Sequence, residues 1–345
     1  MSAARDLSLR CTQNFLTDPA LIDCLLDAST IGPDDQVYEI GPGTGSITER
    51  LLRRCRRVIA VEKDPALVRR LTERFAGCPR LTLRQGDALT ALLPAAPYKV
   101  FASLPFNRTA AIVSRLTHAA PPPEDQYLVV QHEAALRFCG RPATTLYALL
   151  LAPWFEAGII HRFRRSDFAP RPGVDVVLLR LAKRGPPLLP AAQAQRYRDF
   201  VTFAFTCRQP SLAETLHRLE PGRWPRRALA DTGIGPNARP GEVPVERWLC
   251  LFEAFRRGAG TLAHDRVQGA EARQRRQQTR LHKQHRTRGR ATGPGPPRRR
   301  NSGWPAADRL DCHINSSSRF SAAFHLDRAG ELLAKQTRTP ERRTA

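Results

Sequence analysis

The sequence predicts an α/β protein whose mostly parallel sheet is followed by a small all-α domain and a disordered basic tail. Three observations carry that expectation. Short apolar runs alternate with amphipathic ones as far as Leu181, the alternation stops after Lys183-Arg184-Gly185-Pro186-Pro187, and beyond residue 264 the chain turns to Arg, Gln, Gly and Pro. Alternation at this spacing argues for βαβ units and a sheet covered on both faces.

Taken in order, strands are expected at Gln36 to Ile40, Arg57 to Glu62, Leu81 to Gln85, Tyr98 to Ala102 and Tyr127 to Gln131. Helices are expected between them at Ser46 to Cys55, Pro65 to Phe75 and Arg108 to His118. Two later strands, Ala157 to Phe163 and Val174 to Leu181, have no helix between them and read as an antiparallel hairpin closing the sheet. Residues 193–257 hold helical stretches at Tyr197 to Thr206, Ser211 to Leu219 and Pro244 to Phe255, and no convincing strand. The tail cannot bury enough apolar surface to offset its ordering entropy. Within it, Phe320 to Lys335 is the stretch expected to become helical on RNA. The boundaries follow: an α/β domain over residues 1–184, a small helical domain over 185–262, and the tail over 263–345.

Of 345 residues, 55 are Lys or Arg and 32 are Asp or Glu, a formal charge of +23. Such an excess attracts a polyanion, with nucleic acid the default partner. Residues 264–345 hold about 19 basic and about 7 acidic side chains, roughly +12, so about +11 remains for the folded part. The eight cysteines are scattered singly without zinc-like spacing, and the amino-terminal residues lack an apolar signal core. Leu146 to Phe155, interrupted by Pro153, is too short to span a bilayer. The chain therefore reads as soluble, cytoplasmic and thiol-reduced, with no membrane partner and no metal. His282 and His285 sit in the charged tail, and His132 has no partner at metal or triad spacing.

The chemistry sits where strands end. Gly41-x-Gly43-x-Gly45 opens a helix after the first strand, which lets backbone approach a nucleotide-like ligand closely. A dinucleotide fingerprint would place its third glycine at Ser46, or at Thr48 if counted from Gly43, so the loop suits a ligand without a pyrophosphate. Glu62 ends the second strand, placed to accept both hydroxyls of a ribose, which points to an adenosine compound. Asp87, in Gly86-Asp87-Ala88, would accept from an adenine amine while the Ala88 amide donates to the ring.

Ser103-Leu104-Pro105-Phe106 ends the fourth strand. The lone pair of an exocyclic base amine is delocalised into its ring. A hydroxyl and a carbonyl that both accept its N–H bonds favour a pyramidal nitrogen and localise that pair. Pro105 fixes the turn so that the Leu104 carbonyl faces the amine, and Phe106 can stack on a base taken out of its own stack. The attacked group would be a sulfonium methyl, which needs neither metal nor covalent intermediate. No Cys sits in a Pro-Cys turn, which counts against attack on a pyrimidine carbon. Gln13-Asn14-Phe15-Leu16 could lie over the cofactor, and Phe168 in Phe168-Ala169-Pro170-Arg171-Pro172 offers a second aromatic for the opposite face of the base, or else a core side chain in a Pro-rich loop.

Seven motifs in order, Q-N-F-L, E-I-G-P-G-T-G, V-E-K-D, G-D-A-L, S-L-P-F-N, Q-H-E-A-A and F-A-P-R-P-G-V, resemble the rRNA adenine methyltransferase superfamily from about Thr12 to about Phe255. That superfamily contains the Erm macrolide-resistance enzymes and the small-subunit rRNA dimethyltransferases. The resemblance implies a class I (Rossmann-like) methyltransferase domain with a seven-stranded, mostly parallel sheet. It implies S-adenosylmethionine as the cofactor, held by Asn14, Leu16, Gly41, Gly43, Glu62, Lys63, Asp87, Ala88 and Ser103. It implies a target adenine held by Ser103, Leu104, Pro105 and Phe106 with Phe168 near the base. The family usually has Asn where this chain has Ser103; serine keeps an accepting oxygen, so activity is expected to persist, with its rate or extent the property touched. S-L-P-F, the F-A-P-R-P-G-V motif without a following lysine, and the long basic tail look more like the Erm branch, which acts on one adenine in the peptidyl-transferase loop of 23S rRNA and so confers resistance to macrolides, lincosamides and streptogramin B. A monomer is expected. The rivals are a 16S rRNA dimethyltransferase, a DNA adenine methyltransferase, and a non-catalytic nucleic-acid-binding factor of the same fold.

Overall fold

The computed structural model describes residues 14–278, which form two compact units divided after Pro190. In the first unit, nine strands and six α-helices follow one another. They are β1 (Phe15–Leu16), α1 (Pro19–Asp27), β2 (Gln36–Ile40), α2 (Ser46–Arg54), β3 (Arg57–Glu62), α3 (Pro65–Arg74), β4 (Leu81–Gln85) and β5 (Lys99–Ser103). There follow α4 (Thr109–Thr117), β6 (Asp125–Gln131), α5 (His132–Phe138), α6 (Leu146–Leu151), β7 (Phe155–Arg162), β8 (Phe168–Ala169) and β9 (Val176–Lys183).

Seven of these strands form one sheet in the order β4-β3-β2-β5-β6-β9-β7. The pairs from β4 through β6 are parallel, and β9 lies antiparallel between β6 and β7. The hairpin expected from the missing helix is therefore present, with the later strand inside and the earlier one at the edge. Strands buried on both sides must be apolar almost throughout, and β5 reads Lys-Val-Phe-Ala-Ser for that reason. Val100 and Leu128 pack with Ile112, Val113, Leu116, Ala135 and Phe138 on one face. Phe101 and Val129 pack with Ile22, Leu25, Leu26, Leu51 and Leu52 on the other.

Local signals set the helix starts. Asp18 and Asp64 each accept the amide two residues on, at 2.9 and 2.8 Å, and a proline follows each at the first helical position. Helices α1, α5 and α6 were not among those expected from the sequence. The run from Leu146 is a short helix capped by Thr145, and its buried Ala148, Leu149 and Leu151 explain its apolarity.

The second unit is all-α: Ala194–Thr206, Leu212–Leu219, Trp224–Asp231, Val245–Gly258 and Thr261–Val267, then helical residues 270–278. Its core is aromatic, with the Phe200 and Phe255 rings stacked at 4.5 Å and Tyr197, Trp248 and Phe252 fully buried. Two boundaries differ from expectation. Residues 185–190 stay with the first unit, where the Leu188 amide donates to Pro153 and Leu189 is buried. At the other end the helical unit runs past 262. Ala263, Val267 and Ala270 are buried, and the buried Asp199 carboxylate accepts the amides of Gly269 and Glu271, both at 3.0 Å. The Arg/Gln richness of this stretch hid that sparse apolar face. The rest of the tail, including Phe320 to Lys335, lies outside the described residues. Among the described residues no helix is long and apolar enough to cross a membrane.

Ending the chain after residue 262 should strip Asp199 of both amide donors. An unsatisfied buried carboxylate costs on the order of 1–3 kcal/mol or more. Urea unfolding of chains ending at 262 and at 278 should show the shorter one less stable by at least that amount. Equal midpoints would place residues 263–278 outside the cooperative unit.

Candidate active site

Strand order reverses between β2 and β5, the place where an open α/β sheet leaves a crevice beyond its carboxyl ends. The glycine turn leaves β2 there and the Ser103 turn leaves β5. At Gly41, φ is +71° and a Cβ would lie 3.3 Å from the Ser103 carbonyl oxygen. At Gly43, φ is +58° and a Cβ would collide with the Phe15 ring. Glycine is thus demanded twice over, by backbone conformation and by close approach.

The Phe15 contact shows where the amino-terminal segment goes. β1 pairs with β8, Leu16 opposite Phe168 and Phe15 opposite Ala169, and the Thr17 amide donates to Asp167 at 3.1 Å. The two flanking motifs thus form one ribbon beside the glycine turn. Asn14 is half-buried at its start, and Leu16 is buried in the core. Phe168, expected to face the base, is only 3% exposed and packs edge-on to Phe163 at 5.2 Å. Its ring belongs to the core, the other reading that its Pro-rich loop allowed.

Glu62 is buried at the end of β3. Its Oε2 accepts the Gly43 amide at 3.1 Å, and its Oε1 accepts the amides of Lys63 and Asp64 at 2.7 and 3.0 Å. A carboxylate has about four acceptor positions, so one remains, on Oε2. A ribose diol would have to displace one of the three amides to use both hydroxyls. Asp87 follows β4. Its Oδ1 accepts the Leu89 amide at 3.0 Å, and its Oδ2 accepts Lys63 Nζ at 3.1 Å and Arg108 Nη1 at 2.6 Å. Partial burial works to raise the Asp87 pKa, but the Leu89 amide, Lys63 and Arg108 outweigh it and hold the value down at about 2. Ala88 packs against the core and its carbonyl accepts from Arg115.

Ser103 is half-buried at the end of β5. Leu104 anchors the turn, its side chain in the core and its amide donating to Val129 at 3.1 Å. The turn closes through the Arg108 amide, which donates to Pro105 at 2.9 Å. Pro105 is exposed, and Phe106 is half-buried against the face that holds Phe101. The structure thus gathers the glycine turn, Glu62, Lys63, Asp87, Ala88 and the Ser103 turn at one end of the sheet.

Sequence reading missed Glu39, two residues before Gly41. It is 1% exposed; Oε2 accepts the Thr48 hydroxyl at 2.7 Å, and Oε1 is buried without a partner. Burial pushes its pKa up to about 8, the Thr48 bond partly offsetting this and the nearby Glu62 carboxylate adding to it. A carboxylate inside an otherwise apolar strand just ahead of a glycine turn is the signal that marks it. A turn that only glycine can form fits a ligand that needs close backbone approach, and the acceptor position left open on Glu62 Oε2 fits one that carries donors. Among the described residues no group of three or more metal-capable side chains converges.

A model of the family described as ribosomal RNA adenine dimethylase matches residues 6–257. The rRNA adenine N-6-methyltransferase of Saccharopolyspora erythraea is 34% identical over 242 residues, covering 70% of this chain and 63% of that protein, so the chain spans under two thirds of that relative's length. The ribosomal RNA small subunit methyltransferase A of Synechococcus sp. is also 34% identical, covering 70% of this chain and 90% of that one. Among solved structures, the 23S rRNA methyltransferase ErmE superimposes with a TM-score of 0.64 at 33% identity, covering 71% of this chain and all of the other.

The unfolded chain ionises Glu39 near its ordinary value of 4.5, whereas the folded protein keeps the proton up to about pH 8. Stability contributed by the protonated acid is therefore full below about pH 4.5 and declines as pH rises toward 8. Glu39→Gln, which mimics the neutral acid, should match the parent's unfolding midpoint near pH 4.5 and exceed it at pH 8. A difference that stays constant over this range would mean that the folded carboxyl is already ionised.

Proposed function

The chain belongs to the ribosomal RNA adenine dimethylase family, whose chemistry is methyl transfer from S-adenosylmethionine to an rRNA adenine, and we propose that its target is the N6 amine of a single adenine in the peptidyl-transferase loop of 23S rRNA. Such a modification confers resistance to macrolides, lincosamides and streptogramin B, and the protein acts as a cytoplasmic monomer. The observation that carries this reading is the Ser103-Leu104-Pro105-Phe106 turn set against Gly41 at the point where strand order reverses. The full coverage of the 23S rRNA methyltransferase ErmE supports the choice of the large subunit. The comparable match to a small-subunit enzyme supports the second reading, 16S rRNA.

When bound, the cofactor supplies an electrophilic sulfonium methyl. Gly41 and Gly43 would admit it to the backbone, and Glu62 would accept from its ribose through the remaining position on Oε2. Asp87 and the Ala88 amide receive its adenine, with Lys63, Asn14 and Leu16 alongside. Ser103 Oγ and the Leu104 carbonyl accept the two N–H bonds of the target amine and so localise its lone pair. Phe106 stacks on the flipped base. The alkylated amine is acidic enough to release its proton to water, so no side chain acts as base.

Selection of RNA falls to the basic surface. Arg162, Arg164 and Arg165 beside the Phe168 loop are exposed, as are Arg208, Arg223, Arg226 and Arg227 in the helical unit. Arg165 and Arg227 form only exposed ion pairs, with Asp175 and Asp231, which leave their charge available to phosphate. Phosphate contacts of this kind and those of the tail add affinity without choosing the base.

Glu62→Ala should weaken S-adenosylmethionine binding by about 1.5–3 kcal/mol, the range for hydrogen bonds to charged groups, as read by calorimetry. Unchanged affinity would remove Glu62 from the site. The decisive assay is methyl incorporation into naked 23S and 16S rRNA with the modified nucleotide mapped. Label in one adenine of the 23S peptidyl-transferase loop is expected, whereas incorporation into 16S rRNA would favour the second reading. A chain ending at residue 278 should methylate the same adenine with lower RNA affinity and a flatter dependence on log salt. A moved methyl would assign base selection to the tail.

A further inference from the structure

We propose that Arg108 is a positioning residue that ties the target-base turn to the cofactor's adenine end, with Arg115 as a second anchor on the same loop. The inference rests on the proposed role of Asp87 and Ala88 toward adenine.

The loop after β4 is held from α4, the helix that begins directly after the Ser103 turn. Arg108 precedes the first turn of α4 and Arg115 lies near its end. Seven residues are close to two helical turns, so both side chains leave the same side of the helix. Arg108 Nη1 donates to Asp87 Oδ2 at 2.6 Å. The Arg115 guanidinium donates through separate nitrogens to the carbonyls of Ala88 and Ala91. Lys63, leaving β3, reaches the same Oδ2 at 3.1 Å.

An oxygen of a carboxylate accepts about two hydrogen bonds. Oδ2 is therefore filled by Lys63 and Arg108, while Oδ1 holds only the Leu89 amide. The carboxylate cannot rotate freely, and its one open position is on Oδ1, where an adenine amine would be received. Arg115 meanwhile holds the carbonyl of Ala88, the residue whose own amide would donate to the ring. Both features of the adenine seat are thus set by the helix that carries the target-base turn.

A merely stabilising role accounts poorly for Arg108. Its side chain is 36% exposed and that of Asp87 is 27% exposed, and pairs so open to water contribute little to folding. Its geometry instead matters for which Asp87 lone pair is left available. Coupling of this kind is reciprocal: a cofactor seated on Asp87 steadies residues 103–108, and the target RNA then binds the loaded protein more tightly than the empty one.

The test is a calorimetric cycle on the full chain with S-adenosylhomocysteine as the probe, using Arg108→Met, Asp87→Asn and the double variant. Arg108→Met should weaken binding by about ten- to a hundredfold, the range for a lost hydrogen bond to a charged group. The double variant should be no weaker than Asp87→Asn alone, because Arg108 acts through Asp87. Arg108→Lys should recover most of the affinity. Arg108→Met binding as tightly as the parent, or single effects that simply add, would overturn the assignment. Thermal unfolding reports whether each variant folds; if Arg108→Met does not, the cycle is run on Arg108→Lys, which should then show a smaller loss that again vanishes with Asp87→Asn. A second arm measures affinity for a 23S peptidyl-transferase-loop transcript with and without S-adenosylhomocysteine; the gain seen in the parent should be lost in Arg108→Met, and its persistence would also overturn the inference. A parent that ignores this transcript would sink the 23S reading, while the first arm, which contains no RNA, still decides the role of Arg108.

Discussion

The approach of Gly41 to the Ser103 carbonyl is the contact on which the arrangement depends. β2 and β5 are neighbours in the sheet though two other strands intervene in sequence. Because the chain leaves these two strands toward different sides of the sheet, their carboxyl ends are not covered by a shared crossover. A Cβ at Gly41 would lie 3.3 Å from Ser103 O, so the two turns meet backbone to backbone with no side chain between them. Glu62 then fastens the same glycine turn from β3 through the Gly43 amide.

The carboxylates around that contact live in different electrostatic worlds. Asp87 is surrounded by cations and stays ionised far into acid, whereas Glu39 is sealed in the core with one hydroxyl for company and favours its neutral form at pH 7. Glu62 lies between them in chain order and is held by three backbone amides rather than by a cation. Three acids thus sit near the carboxyl ends of adjacent parallel strands, each held in a different way.

Much of this was legible in the sequence. Parallel strands buried on both faces produce the apolar runs that end at Ile40 and Glu62, and five of the six predicted helices start within a residue of their structural start. The glycines were readable because only a tight, close-approaching turn calls for three of them. What escaped depends on contacts distant in sequence. Leu146–Leu151 is apolar enough to suit either a strand or a helix, and Trp224–Asp231 hides its helical pattern among arginines. The end of the helical unit near 262 looked secure because composition, rather than the few apolar positions at Ala263, Val267 and Ala270, dominated the reading. For Phe168, no local feature separates a ring that faces a base from one that packs on Phe163.

The ribbon beside the glycine turn has a consequence for the order in which the protein is assembled on the ribosome. Thr17 meets Asp167, 150 residues further along the chain, and Leu16 pairs with Phe168. The inner strand β9, which joins β6 to β7, is made later still. A nascent chain emerges from its amino terminus, and contacts of such long sequence separation form late because loop closure precedes any gain from them. The ribbon's amino-terminal strand, made well before its partner, is thus among the last to find its place, and until β8 has emerged Phe15 has no strand to hold it over Gly43. Until residues 167–169 have been made, the glycine turn therefore lacks the ribbon that borders it.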